Sequence, residues 1–222
     1  MPRIIGPVPS DKWEREVRRQ LSKQLPSSWI VICNVSWALK DDRGFVRDGQ
    51  ADFVVLVPEI GLAVVEVKGT KLVRVDEFGN WYRLGGGYQD QQREYLIKEP
   101  PPEQATRNLH EIAKLVKAEL THEQGATFPG LHAWLVVYPN GEVEGKLDTY
   151  DRTTIVTKQS MHKLGKVIKE ALLAKGDERT GRKFNLGLAN KAAEALTNQR
   201  FRVVAVDTEL DSIEDEKNVD EL

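Results

Sequence analysis

Hydrophobic and polar positions alternate along this chain with two periods. Trp13, Val17, Leu21 and Leu25 form an i+4 stripe, so the spacing predicts an amphipathic helix that opens at Ser10 or Asp11 and stops before Pro26. "WIVICNVSW" (29–37) alternates as a strand does, and the polar stretch "KDDRGFVRDG" reads as a loop. Two nearly continuous apolar runs, about 52–57 and 62–67, then flank "PEIG". Such runs predict strands buried on both faces and joined as a hairpin. "KLVRVDEFGNWYRL" (71–84) predicts a second hairpin, and "GGGYQDQQREYLIKEPPP" reads as a long irregular connection, with a turn at its glycines and a proline run that forbids helix.

Beyond that connection the helical period returns. Leu109, Ile112, Ala113, Val116 and Leu120 share one face of a helix over 103–120. Strands are expected at 131–138 and 153–157, helices at 160–175 and 188–196, and a last strand at 200–206. The fold class that follows is α/β: a mixed β-sheet with a central hairpin, flanked by helices on both faces.

Composition narrows the function classes without choosing one. The chain has 222 residues, 30% of them charged, with a net charge of −2 and a pI of about 6.1. No broad positive field surrounds it, so any phosphate-binding surface is local. Lys158 to Lys183 carries eight Lys or Arg against three acids, and Asp207 to Leu222 carries eight acids against one Lys. A solvated helix face accounts for the first and a flexible end or linker for the second. A lone cysteine, Cys33, excludes an intramolecular disulfide and a thiolate zinc site. The four histidines lack paired zinc spacing, and "GDERTGRK" misplaces the lysine and hydroxyl of a phosphate loop. With no apolar segment of membrane-spanning or signal length, the expected location is the cytoplasm.

The central hairpin holds the candidate chemistry. Asp52 opens its first strand, and Glu66 and Lys68 lie two residues apart near the end of the second, on one face. A four-residue turn would set Asp52 against Val67, so bringing it beside Glu66 requires a shifted loop or a bulge. Two carboxylates that meet in this way repel unless a proton or a cation lies between them. Their hard oxygens suit magnesium or manganese, which bind one or two carboxylates together with waters and substrate phosphate. A surface ion pair at a strand end is the simpler reading of the same residues.

"GQADFVVLVPEIGLAVVEVKG" resembles the core of the NERD (nuclease-related) domain of the PD-(D/E)xK nuclease superfamily, with Ala51 where the superfamily has proline. The likeness extends to Glu14 and Val17 in "WEREV" and to Pro101 and Gln104 in "PPPEQATRN", and covers about residues 10–140. It implies a restriction-endonuclease-like core and a metal-dependent hydrolysis of phosphodiesters, expected to be in DNA and to serve DNA processing or repair. Asp52 and Glu66 would be metal ligands, Lys68 would position or activate water, Glu14 would complete the metal or water shell, and Gln104 would contact substrate or bound water. Glu14 lies about 40° from the centre of its helix's apolar stripe and Glu16 about 120° away, which favours Glu14.

Residues 141–206 are expected to complete or pack on this core, and 207–222 to form the acidic tail or linker. Nucleic acid is the expected partner, with a helicase in cis or in trans, since such domains often precede one. A non-catalytic nucleic-acid-binding or docking module is the alternative, and a scaffold with an incidental ion pair is a third reading.

Overall fold

The computed structural model describes residues 1–40, 46–86, 92–120, 128–145, 147, 150, 152–176 and 178–198. The expected strand at 200–206 and the acidic segment 207–222 lie outside the described residues.

A short strand β1 (Arg3–Ile5) precedes helix α1 (Lys12–Gln24). Asp11 caps that helix, its carboxylate accepting from the amides of Trp13 (2.7 Å) and Glu14 (3.1 Å). Next come β2 (Ile30–Lys40), β3 (Val46–Val57) and β4 (Gly61–Val67). A second group follows with β5 (Leu72–Val75), β6 (Trp81–Gly86) and β7 (Gln92–Leu96). The chain continues through α2 (Pro101–Leu120), β8 (Leu131–Val137), β9 (Glu142–Gly145) and β10 (Ile155–Val156). It is completed by α3 (Leu164–Leu173), α4 (Glu178–Arg182) and α5 (Leu186–Thr197).

Six strands form the main sheet in the order β1-β2-β3-β4-β8-β10. β2, β3 and β4 pair antiparallel, and the β1–β2, β4–β8 and β8–β10 contacts are parallel. This is the mixed α/β architecture of a restriction-endonuclease-like core. One face packs Phe53, Val55, Ala63 and Val65 against Val17 and Leu21 of α1 and Leu164 and Ile168 of α3. The other packs Val54, Leu56, Leu62 and Val64 against Leu109 and Ile112 of α2 and Ala189 and Ala192 of α5. Every residue of β4 is buried as a result, which explains its nearly unbroken apolar sequence. Each fully buried Val or Leu stabilises the fold by about 1.5–3 kcal/mol.

Besides β1, β9 and α4, which were not expected, four findings differ from the sequence expectation. β3 begins at Val46, so the second half of the presumed loop is strand: its outer half is exposed and polar, and carries no burial signal. Residues 81–86 and 92–96 form neighbouring strands of a four-stranded second sheet, β7-β6-β5-β9, so Gly85 and Gly86 are strand residues. α2 starts at Pro101 because the first turn of a helix needs no proline N–H. The 153–157 segment is a 3-10 turn (Arg152–Thr154) followed by the two-residue β10.

The β3–β4 turn has three residues, 58–60, with Val57 paired to Gly61. It closes through the Ile60 amide donating to the Val57 carbonyl (3.0 Å), with Glu59 in the left-handed region at φ 68°. Gly61 is required by close approach, since a Cβ there would lie 1.8 Å from the Leu131 carbonyl oxygen on β8. Gly61→Ala is therefore expected to lower the unfolding free energy by about 3 kcal/mol. Urea denaturation monitored by tryptophan fluorescence checks this, and an unchanged midpoint would show that β4 and β8 can separate at no cost.

Candidate active site

With the three-residue turn, Phe53 pairs with Val65, and one step further Asp52 falls level with Glu66. The shifted loop, not a bulge, brings the two carboxylates together. Asp52 Oδ2 accepts from the Val67 amide at 2.7 Å, so the side chain takes a place that a ladder carbonyl would hold.

Asp52 also sits at a reversal in the sheet. Cys33 pairs with Phe53 and Val35 with Ala51, so no residue is inserted between them and Asn34 falls level with Asp52. Cys33 and Phe53 belong to the α1 face, whereas Val35, Trp37 and Ala51 belong to the α2 face. Strict alternation would put all five on one face. Asn34 makes the change by adopting φ 56°, a left-handed conformation that asparagine tolerates better than most residues.

The reversal turns Trp37 towards α2, where its indole N–H donates to Asn108 Oδ1 at 3.0 Å. Gly49, directly across from Trp37, leaves room for the ring, because a Cβ there would lie 2.4 Å from Cζ2. Asn108 Nδ2 in turn donates to Glu66 Oε1 (2.6 Å) and to the Gln50 carbonyl (3.0 Å). Glu66 is 1% exposed. Its other oxygen, Oε2, lies 3.7 Å from Lys68 Nζ, and that ammonium donates to Gln104 Oε1 at 2.7 Å. Gln104 and Asn108 are four residues apart on α2 and so share a face. Asn108 was not singled out from the sequence, where the only signal is its i+4 spacing from Gln104 within an apolar helix stripe.

Glu14 comes from α1 and is half-buried. Burial raises its carboxyl pKa, Asp52 and Asp11 raise it further, and Lys68 opposes them, so it lies within electrostatic reach of the cluster. Glu16 instead is held by Arg19 (2.8 Å to Nε) and Gln20 (2.9 Å) on the same helix. Asp52 is raised by burial, against the Val67 amide and Lys68. Glu66 is pushed up to about 7 by burial and then by Asp52, with Lys68 and Asn108 opposing.

Among the described residues, no group of three or more His, Cys, Asp or Glu side chains is placed to hold a metal ion. The donor set nevertheless fits magnesium or manganese: Asp52 and Glu66 supply hard oxygens, the Val67 carbonyl is their neighbour, and such ions retain waters and need only one or two carboxylates from the protein.

Two outcomes follow. A Glu66 pKa of about 7 in the fold against the ordinary 4.5 means that the native state binds more protons than the unfolded chain between those values. In the absence of divalent cations, stability is therefore greatest below pH 4.5 as far as this group is concerned and is lost as pH rises through 7, by up to roughly 3 kcal/mol. Chemical denaturation at pH 5 and pH 8 measures the difference, and Glu66→Gln should abolish most of it. Asn108→Ala should cost about 2–3 kcal/mol, since it leaves the Trp37 N–H and a buried carboxylate oxygen without partners. A urea midpoint equal to that of the parent would mean that the bridge carries no weight.

Comparison with curated proteins and with solved structures gives no match. The family model for the nuclease-related domain, NERD, matches residues 9–137, more than half of the chain, and that span contains all of Glu14, Asp52, Glu66, Lys68, Gln104 and Asn108. With this match over the hairpin and both helices that reach it, the chain belongs to the NERD family of the PD-(D/E)xK nuclease superfamily.

Proposed function

We propose that this protein is a nuclease that hydrolyses phosphodiester bonds, in DNA, with magnesium or manganese. The observation that carries this reading is a buried carboxylate, Glu66, level with a second, Asp52, with an ammonium 3.7 Å away on the same strand end. A fold gains little stability from such a group, because burying charge costs several kcal/mol before any pairing. When bound, the ion supplies charge neutralisation at the phosphoryl oxygens and a lowered pKa for water.

The chain's residues have distinct tasks on this reading. Asp52 and Glu66 hold the divalent cation through carboxylate oxygens. Gln104 fixes the Lys68 ammonium by accepting one of its hydrogens, leaving the others to orient the attacking water and offset charge on the phosphoryl oxygens. Asn108 keeps Glu66 in one orientation through Oε1. Glu14, raised by burial and by Asp52, completes the water shell from the α1 side. The partner is nucleic acid, and a helicase in cis or in trans would supply strands to such a site in DNA processing or repair. Among the described residues no helix is long and apolar enough to cross a membrane.

The second reading is a non-catalytic nucleic-acid-binding or docking module. The two separate on metal dependence. Purified protein titrated with magnesium and manganese should cleave labelled DNA, and Lys68→Ala and Glu66→Ala should each reduce the rate at least about 100-fold. Absence of cleavage with either metal, with DNA binding intact in both variants, would replace the nuclease by the docking module.

A further inference from the structure

The second sheet separates charge between its two faces. Paired residues of neighbouring strands share a face, and successive residues of one strand take opposite faces. Glu94, Glu142 and Glu144 therefore lie on one face together with Arg74, which donates to Glu94 through Nε at 2.7 Å and Nη2 at 2.5 Å. Val73, Val75 and Trp81 lie on the other, and with them, further out, Arg83, Gly85, Arg93 and Tyr95. Among the described residues, the four strands place no acid on that second face.

The inner part of this face is buried. Val73, Val75 and Trp81 pack with Ala105 of α2 and with Val136 of β8, which pairs with Glu66, so the sheet is fixed to elements that bear or border the candidate site. The outer part is open. Arg83 stands directly across from Tyr95, its guanidinium carbon 5.1 Å from the ring centre, and Gly85 directly across from Arg93. A Cβ on Gly85 would lie 3.1 Å from Tyr95 Cε2, so the ring leans over the glycine. Tyr95 is nevertheless 44% exposed, and neither Arg83 nor Arg93 makes a hydrogen bond or ion pair among the described residues. Shielding a strand glycine explains where the ring lies. It does not explain two exposed guanidinium groups without a counter-charge, when the opposite face supplies one to Arg74.

An exposed ring, a guanidinium laid against it and a second guanidinium one residue pair further along match a polyanion that carries flat bases. We propose that this corner of the second sheet binds a single strand of nucleic acid: one base stacks on Tyr95 and the Arg83 guanidinium, and Arg93 with the free edge of Arg83 donates to neighbouring phosphates. A duplex keeps its bases stacked on one another and offers this surface its phosphates alone. The inference takes the nucleic-acid partner from the nuclease reading and goes beyond it, adding a contact apart from the Asp52 and Glu66 cluster that holds with or without cleavage.

Binding in EDTA separates this from catalysis. Fluorescence anisotropy of the full chain with a labelled single strand, the matching duplex, and a wholly abasic strand of the same length supplies the arms. Tyr95→Leu, which still covers Gly85, should weaken single-strand binding about tenfold and leave duplex binding unchanged. The abasic strand should bind more weakly than the natural one and be insensitive to Tyr95→Leu, a coupling that a merely structural role would not produce. Arg93→Ala should reduce the salt slope for the single strand by about 0.7, whereas Arg74→Ala, on the opposite face, should leave the affinity unchanged. These side chains are exposed, so the urea midpoint should stay where it is. Unchanged single-strand affinity in Tyr95→Leu, an equal loss on the abasic strand, or a parent protein that binds no strand overturns the inference. Metal-dependent cleavage that persists in any of these cases leaves the nuclease reading standing without this surface. A parent protein that cleaves nothing yet keeps the Tyr95 dependence leaves the surface standing and removes the nuclease reading.

Discussion

The register of the β3–β4 hairpin is the constraint on which the site depends. A shift of one residue would turn every side chain of one strand to the opposite face, placing Val64 where Ala63 belongs and removing Glu66 from Asn108. That register is fixed at the turn, by the left-handed Glu59 and by the close contact of Gly61 with Leu131, and it is held by two cores that cover the strands from both sides. The turn lies at the far end of the hairpin from Asp52. The meeting of Asp52 and Glu66 at one end of the hairpin is thus set by backbone geometry at the other, with five residue pairs between.

Glu66 shows why so much packing is needed. Its carboxylate lies between β4 and α2 with essentially no access to water, and the polar chain from Trp37 through Asn108 to Glu66, Lys68 and Gln104 is what makes this tolerable. The partners do not neutralise it fully: its pKa remains high because burial and Asp52 together outweigh Lys68 and Asn108. A network tuned only for stability would be better served by apolar residues of the same volume. This one stays short of positive charge around Glu66, and it is that shortage which the proposed nuclease reading fills with a cation.

The sequence made some of this legible and hid the rest for physical reasons. Burial on both faces writes itself as an apolar run, so the central strands, the amphipathic helices and the placement of Asp52, Glu66 and Lys68 in the hairpin could be read directly. Glu14 and Gln104 could be read through the family likeness and the helix geometry; their tasks in the site belong to the proposal. Of the second sheet only the β5–β6 hairpin was legible; its outer strands were not, because residues 93–96 of β7 are exposed and β9 has only four residues. Nor was the reversal at Asn34: Val31, Cys33, Val35 and Trp37 alternate without a break, and only a backbone angle shows that the last two face the other core. Since Trp37 anchors Asn108, missing the reversal meant missing Asn108.

The family match ends at Val137, yet neither core ends there. Leu164, Ile168 and Leu172 of α3 cover the sheet on the α1 side, and Phe184 with Ala189, Ala192 and Ala193 covers it on the α2 side. β10 adds the outer strand against β8, and the Tyr138 amide donates to the Val156 carbonyl at 2.7 Å. Even the hairpin turn depends on the later segment, for the Glu59 amide donates to the Phe184 carbonyl at 2.7 Å. The candidate site residues lie within the matched span, and part of what holds them still lies beyond it. Those in the matched span bring the charges together and set the register, while those beyond it add to the cover that keeps β3 and β4 dry.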